Sequence, residues 1–250
     1  MGEERKRGYR SKLRAEQARD TRRRVVAAAG ELFAEDGFAA TTIDAIAARA
    51  GVSRQTVFTA VGGKTALLKL AYDYALAGDD EPIPMSNRPA IQKIDAEPDP
   101  YRALTMYAGF VTDMGQRVGK LYIALRSAAE IDPEAHELFW RWEAERLQIL
   151  RGGPVPMFVR KKVLRTGVRP EEAADVMALL TSPSVYHRLV IQQGWSRARF
   201  RRWMTSTLME QLLKPKPAPA DPCRADHAQG PSSRRKSSEP AELRRVIRRQ

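Results

Sequence analysis

One cysteine in 250 residues, Cys223, leaves no partner for an internal disulfide and no thiolate cluster for a metal. The three histidines, His136, His187 and His227, lie far apart and without ligand spacing such as i and i+4, so no metal site is expected. No run of about 18 uncharged apolar residues occurs, and the basic N-terminus has no apolar stretch behind it. A membrane span and a secretory signal are therefore not expected, and the cytoplasm is the expected compartment. No strand-like alternation competes anywhere, and no repeat of fixed period is visible. Catalytic signatures are missing too. Gly62, Gly63, Lys64 and Thr65 end like a phosphate-binding loop, but Phe58 stands where the first glycine belongs, and no G-x-S-x-G occurs. These absences predict an all-α protein that is not an enzyme and needs no cofactor.

Charge is plentiful and unevenly placed. The net charge is +13, yet residues 1–24 hold ten Lys/Arg against four Asp/Glu, and residues 214–250 again ten against four. The remainder is nearly neutral, 23 against 22. Two basic ends on a neutral body suit a polyanion, because Lys and Arg beside phosphates release counterions. Residues 1–18 are read as a basic flexible arm and residues 214–250, rich in Pro, Ser, Arg and Lys, as a disordered basic tail.

Between them, Thr41 to Lys64 reads as two short helices and a tight turn. Thr41 can cap the first helix, with Asp44 three residues on, and Ile43, Ile46, Ala47 and Ala50 then share one face. Gly51 stops that helix, and Ser53 caps a second one beginning at Arg54. A turn of about three residues is what a helix-turn-helix needs. The second helix turns Val57 inward and offers Arg54, Gln55, Thr56 and Thr59 outward. Arg pairs bidentately with guanine, Gln with adenine, and Thr meets a phosphate or a thymine methyl.

The helix TRRRVVAAAGELFAEDGF from about Arg19, followed by TTIDAIAARAGVSRQTVF and then Lys64 and Leu67, resembles the TetR family of transcriptional regulators. The resemblance covers about a fifth of the chain. It implies DNA contacts at Thr42, Ser53, Arg54, Gln55, Thr56, Phe58, Thr59 and Lys64. The family usually has Tyr at position 58 and Ser or Asn at position 63. Phe58 cannot give the phenolic hydrogen bond to a phosphate, and Gly63 caps the next helix weakly.

Helix 1 is expected from Asp20 to Asp36, with Gly30 as an interior flaw costing about 1 kcal/mol unless close packing needs it. A fourth helix follows Lys64 and ends at Gly78. Residues 79–99 carry several prolines and no helical period, and are read as a loop or flap. Asp99 and Pro100 open a helix to Gly119, and another is expected from Lys120 to Glu130. Asp132 and Pro133 open one to Leu150, and a short helix is expected from Met157, ending at Gly167. Arg169 and Pro170 start a segment to Gln193 that Pro183 bends, and Ser196 caps the last helix to Leu213.

The organisation expected is a three-helix head with a helix-turn-helix at 19–63 and a helical ligand-binding and dimerisation body at 64–213. The resemblance implies a homodimer through about residues 171–193 and 196–213. It also implies a small-molecule pocket, for which Tyr107, Phe110, Met114, Tyr122, Arg126 and Trp142 are the candidate lining. The partners expected are a double-stranded DNA operator and an effector whose identity the residues do not give. A repressor released by that effector is the reading that fits; the alternative is an architectural DNA-binding protein without an effector.

Overall fold

The computed structural model describes the backbone of residues 2–216 and the side chains of residues 12–216. Cys223, His227 and the rest of the basic tail beyond Lys216 lie outside the described residues. Among the described residues the chain is all-α, with an isolated bridge between Leu164 and Leu213.

Helix α1 runs Gly2–Ala40. It begins well before the expected Asp20, so the segment read as an arm continues into helix 1 as one element. Ala15, Glu16, Gln17 and Ala18 are good helix formers, and nothing between Lys12 and Asp20 breaks the run. The expected stop at Gly37 is a kink, with φ 80° and ψ 175°, after which the chain resumes helical hydrogen bonding to Ala40.

Helices α2 (Ile43–Ala50), α3 (Arg54–Ala60) and α4 (Lys64–Ala77) follow at the expected places. The cap of α2 is Thr42, whose side chain accepts from the Ala45 N–H at 3.1 Å. Thr41, expected in that role, is buried and donates to the Gly37 carbonyl at 2.7 Å, tying the kink to the helix start. Val25, Leu32, Phe33, Phe38, Ile46 and Val57 fill the head core. That core does not close at Lys64. Through Leu67 and Leu68 it continues into Val118, Leu121, Leu125 and Leu138, and the residues up to Pro215 form one compact unit.

Residues 79–99 are more ordered than a flap. A 3-10 turn at Met85–Asn87 leads into α5, Pro89–Ala96, which starts on a proline at its first position and packs through Ile91 and Ile94. Helix α6 is a single helix, Pro100–Ala129, rather than two. Gly119 fails to stop it because it serves packing. A Cβ at Gly115 would stand 2.6 Å from Tyr186 Cγ, and one at Gly119 3.3 Å from Tyr186 Cδ1, so the two glycines form the notch that holds this ring.

Helix α7 spans Pro133–Gly152, capped by Asp132, and α8 spans Pro154–Arg160, three residues earlier than expected and ending well short of Gly167. Helix α9 (Pro170–Leu180) breaks at Thr181–Ser182, where Pro183 starts α10 (Pro183–Tyr186) and a π-helical turn at His187–Gln192. Ser196 caps α11 (Arg197–Leu212), accepting from the Arg199 N–H at 3.2 Å. A second core gathers Leu104, Val111, Phe158, Met177, Phe200, Met204 and Leu208. No described helix is long and apolar enough to cross a membrane.

Candidate nucleic-acid interface

The turn between α2 and α3 is built from three residues. Gly51 takes the left-handed conformation, φ 66°, and its N–H reaches the carbonyls at the end of α2. The Val52 N–H donates to the Ala47 carbonyl at 3.0 Å, and Ser53 then accepts from the Thr56 N–H at 3.1 Å. Such a cap contributes about 1 kcal/mol and fixes the angle at which α3 leaves the turn. Val57 is fully buried against α1 and α2, so the opposite side of α3 has one orientation to offer.

That side carries Arg54, Gln55, Phe58 and Thr59, all exposed, with Thr56 half-buried. The Gln55 side chain has no hydrogen-bond partner among the described residues, whereas Thr59 Oγ1 donates back to the Gln55 carbonyl at 2.9 Å. Arg54 is held twice. Its guanidinium donates to Asp44 Oδ2 at 2.8 Å and stands 5.7 Å from the centre of the Phe58 ring. An exposed pair of this kind contributes well under about 1 kcal/mol, little enough for a phosphate or a guanine to compete for the arginine. Phe58 therefore supplies a ring beside the Arg54 guanidinium.

Thr42 stands exposed at the start of α2. Lys64 stands at the start of α4, half-buried, with its ammonium 4.3 Å from the centre of the Phe38 ring and donating to the Ala39 carbonyl at 3.3 Å. Partial burial lowers its pKa, and the charge of Asp132 works in the opposite direction. Asp132 also accepts from Thr65 Oγ1 at 3.5 Å, so the α6–α7 turn sits against the start of α4. The contacts of Asp44 with Arg54, and of Phe38 and Asp132 with Lys64, are not legible in the sequence, because each meets its partner through the fold. Asp44 and Arg54 lie ten residues apart on different helices, and no spacing rule joins them.

The six candidate pocket residues do not converge on one cavity. Tyr107 is buried in the second core, and burial pushes its phenol up to about 12, with Thr181 acting in the opposite sense. Tyr122 and Trp142 belong to a separate polar knot. Tyr122 Oη donates to Glu143 at 3.2 Å, Glu143 pairs with Arg146 at 2.8 Å, and Arg146 donates to the Ala178 carbonyl at 2.7 Å. Beside this knot Trp142 stacks on Tyr72 with ring centres 4.3 Å apart. Met114 packs half-buried between the two cores. Phe110 lines a groove of about 910 Å³ between α5, α6 and α11, and Arg126 lines another, of about 590 Å³, beside α10 and Trp203. Both depressions are open at the surface.

Residues 25–71 match the family model for the N-terminal domain of the bacterial regulatory proteins of the tetR family. No curated protein sequence matches the chain. Among solved structures, NalD, the secondary repressor of the MexAB-OprM multidrug efflux pump in Pseudomonas aeruginosa, superposes with a TM-score of 0.61 at 19% identity, covering 80% of this chain and 100% of NalD. A Rhodococcus sp. protein assigned to the TetR family gives 0.60 at 14% identity over 77% of this chain and 99% of its own. The SmeT–triclosan complex gives 0.58 at 18% identity over 80% and 98%. At these identities the likenesses establish the fold. Residues 25–71 thus match the N-terminal domain of the bacterial tetR-family regulatory proteins, and the chain as a whole has the fold of the structures on which it superposes.

Proposed function

We propose that the chain is a homodimeric repressor, held on an operator by two heads and released when a small molecule enters its body. The observation that carries the DNA part is the outer face of α3. Arg54 and Gln55 stand exposed at the start of a short helix whose inner face, through Val57, is locked in the head core. Residues at the start of a recognition helix reach base edges in the major groove, so Arg54, Gln55 and Thr56 read bases. Thr42, Ser53, Thr59, Lys64 and the backbone around Phe58 flank that face and hold phosphates.

Dimerisation uses α9 to α11. Leu179 is 69% exposed, and Leu180, Val185, Leu189 and Trp203 are only half-buried, an apolar face that pairing with a second copy would cover. Two heads of a dimer read successive major grooves about 34 Å apart, so a ligand that shifts α4 spoils the fit of both. NalD is a repressor and SmeT binds triclosan, and these two similar folds support the sign of regulation and the use of a small molecule. A DNA-coating protein without an effector is the second reading, favoured because the six candidate pocket residues do not line one common cavity.

Binding of variants to a randomised operator library tests the head. Gln55→Ala should cost about 1 to 3 kcal/mol on the preferred site and relax the choice at one base pair. Lys64→Ala should weaken all sequences alike and reduce the salt slope by roughly one unit. If Lys64→Ala changes the preferred sequence and Gln55→Ala does not, α3 is misplaced as the reading helix. A thermal-shift screen followed by operator release tests the effector; with no compound that both stabilises the protein and frees DNA, the DNA-coating reading stands.

A further inference from the structure

The groove between α5, α6 and α11 combines an apolar floor with an unbalanced charge. Ile94 is buried at its base, and Met106, Phe110 and Met209 stand half-buried along its walls. Lys93 from α5 and Arg201 and Arg202 from α11 line it as exposed cations, and none of the three has an ion-pair partner among the described residues. The single acid in the lining, Asp113, is already paired with Arg197 at 2.6 Å. Thr105, Thr205 and Ser206 add hydroxyls. Long basic side chains lay their methylenes along apolar walls and carry their charges to the mouth. Volume and lining match a small-molecule site, since such sites are mostly apolar, with a few convergent polar groups, and fall between about 300 and 1,000 Å³.

Helical geometry keeps this groove apart from the proposed dimer face. On α11 the residues Phe200, Met204 and Leu208 point into the core. At 3.6 residues per turn, Arg201, Thr205 and Met209 then fall on one flank and Trp203 on the other. A second copy seated on the α9–α11 apolar face, on the Trp203 side, would leave the Arg201 flank open.

The geometry points to a binding site here for an anionic amphiphile, a carboxylate or phosphate head on a medium-length apolar tail. The tail lies on Ile94, Met106, Phe110 and Met209. The head meets Lys93, Arg201 and Arg202, whose charge-assisted hydrogen bonds suit either oxyanion. From Thr105 to Asp113 the groove follows α6 for about 12 Å, at 1.5 Å per residue, which limits the length of tail that fits. The site goes beyond the regulatory reading and does not depend on it.

Calorimetric titration of the full-length protein, without DNA, tests the proposal. Decanoate and decyl phosphate should bind saturably at one per chain, and their order of affinity identifies the preferred head. Decanol and decyltrimethylammonium should bind at least tenfold more weakly. The paired variant Arg201→Glu and Arg202→Glu should lose binding tenfold or more, while Arg201→Lys with Arg202→Lys should retain it. Gly109→Leu tests the floor independently. Gly109 lies in the lining with Arg201 Cδ 3.8 Å from where its Cβ would stand, and a leucine there fills the groove from within a helix that tolerates it. All variants are accepted only with an unchanged melting temperature, and a fluorinated decanoate read by NMR replaces any variant that fails. Equal affinity for the four compounds, binding indifferent to the charge reversal and to Gly109→Leu, or no saturable binding would overturn the site. So would loss of self-association in the groove variants without any ligand effect, which would make the groove a contact between copies. Operator affinity is measured separately, so a negative titration leaves the repressor reading intact, and a failed repressor reading leaves the titration meaningful.

Discussion

Glycine has opposite meanings at two positions of this chain. Gly30 lies in the middle of α1, and a Cβ there would stand 3.4 Å from Ala71 Cβ, an ordinary contact. The flaw expected from the sequence is thus only partly repaid by packing against α4. Gly30→Ala should raise stability by up to about 1 kcal/mol, the helix-propensity difference. Gly115 is the reverse case. Its Cβ would overlap the Tyr186 ring at 2.6 to 2.9 Å, and the ring itself is 3% exposed with Phe200 against its other side. Gly115→Ala should therefore cost about 1 to 3 kcal/mol as overpacking. Chemical denaturation of both variants checks the pair, and a destabilised Gly30→Ala beside a neutral Gly115→Ala would invert the picture. Both residues looked alike in the sequence, because spacing reveals which glycines interrupt a helix pattern but not what ring lies opposite.

Among the elements, α1 shows how a charge cluster fixes a helix. Arg19 and Arg23, one turn apart, both donate to Asp80, through Nε at 2.8 and 2.7 Å, and Arg19 also reaches Glu81 at 2.7 Å. Next to them Arg117 of α6 donates to the Ala75 and Leu76 carbonyls at the end of α4, at 2.8 and 3.3 Å. The start of the 79–99 segment is thus tied to α1, and the end of α4 is tied to α6. Hydrogen bonds from Arg23 and then Arg19 hold the Asp80 carboxyl well below the usual carboxylate range. A depressed folded pKa means that the tie is at full strength above the ordinary aspartate value of about 4 and is lost as pH falls toward the lower folded value. Wild type should melt above Asp80→Asn by a constant margin from neutral pH down to about 5, and the margin should shrink progressively below about 4. Paired melting curves across that range decide it; a margin that grows on acidification would mean that Asp80 is not held by these arginines. The acidic start of this segment reads in sequence as solvated charge, because its arginine partners lie 57 and 61 residues away. Helix α5 was illegible for another reason. Its apolar signal is two isoleucines, Ile91 and Ile94, in an eight-residue helix flanked by prolines, too short to display a period. The caps of α3, α6, α7 and α11, by contrast, were readable in place, because Ser53, Asp99, Asp132 and Ser196 act on backbone N–H groups two or three residues away.

For the whole molecule, the apolar face of α9 to α11 and the single core from head to α7 make separate demands. The face calls for a second copy. Leu179 is so exposed in the chain that Leu179→Glu should leave its fold and melting cooperativity intact while placing two carboxylates in the proposed contact. Sedimentation should then shift toward monomer, whereas Trp140→Glu, 58% exposed on α7, should not change it. A dimer that survives Leu179→Glu and dissociates with Trp140→Glu puts the interface on α7. What sequence could not deliver at this scale was convergence. Tyr107, Phe110, Met114, Tyr122, Arg126 and Trp142 are all on the body helices, but which of them meet depends on the rotation of each helix about its axis against its neighbours. Periodicity gives an apolar face without saying what it faces.

Helix α6 carries the consequence furthest. It is continuous, with the groove beside Thr105 to Asp113 and the head core against Val118 to Ala128. Its middle is gripped where Tyr186 seats in the Gly115 notch, 15 residues from Pro100 and 14 from Ala129 by subtraction of their numbers. The two cores of the molecule therefore share one continuous helix as their common wall, with the glycine notch at the boundary between them.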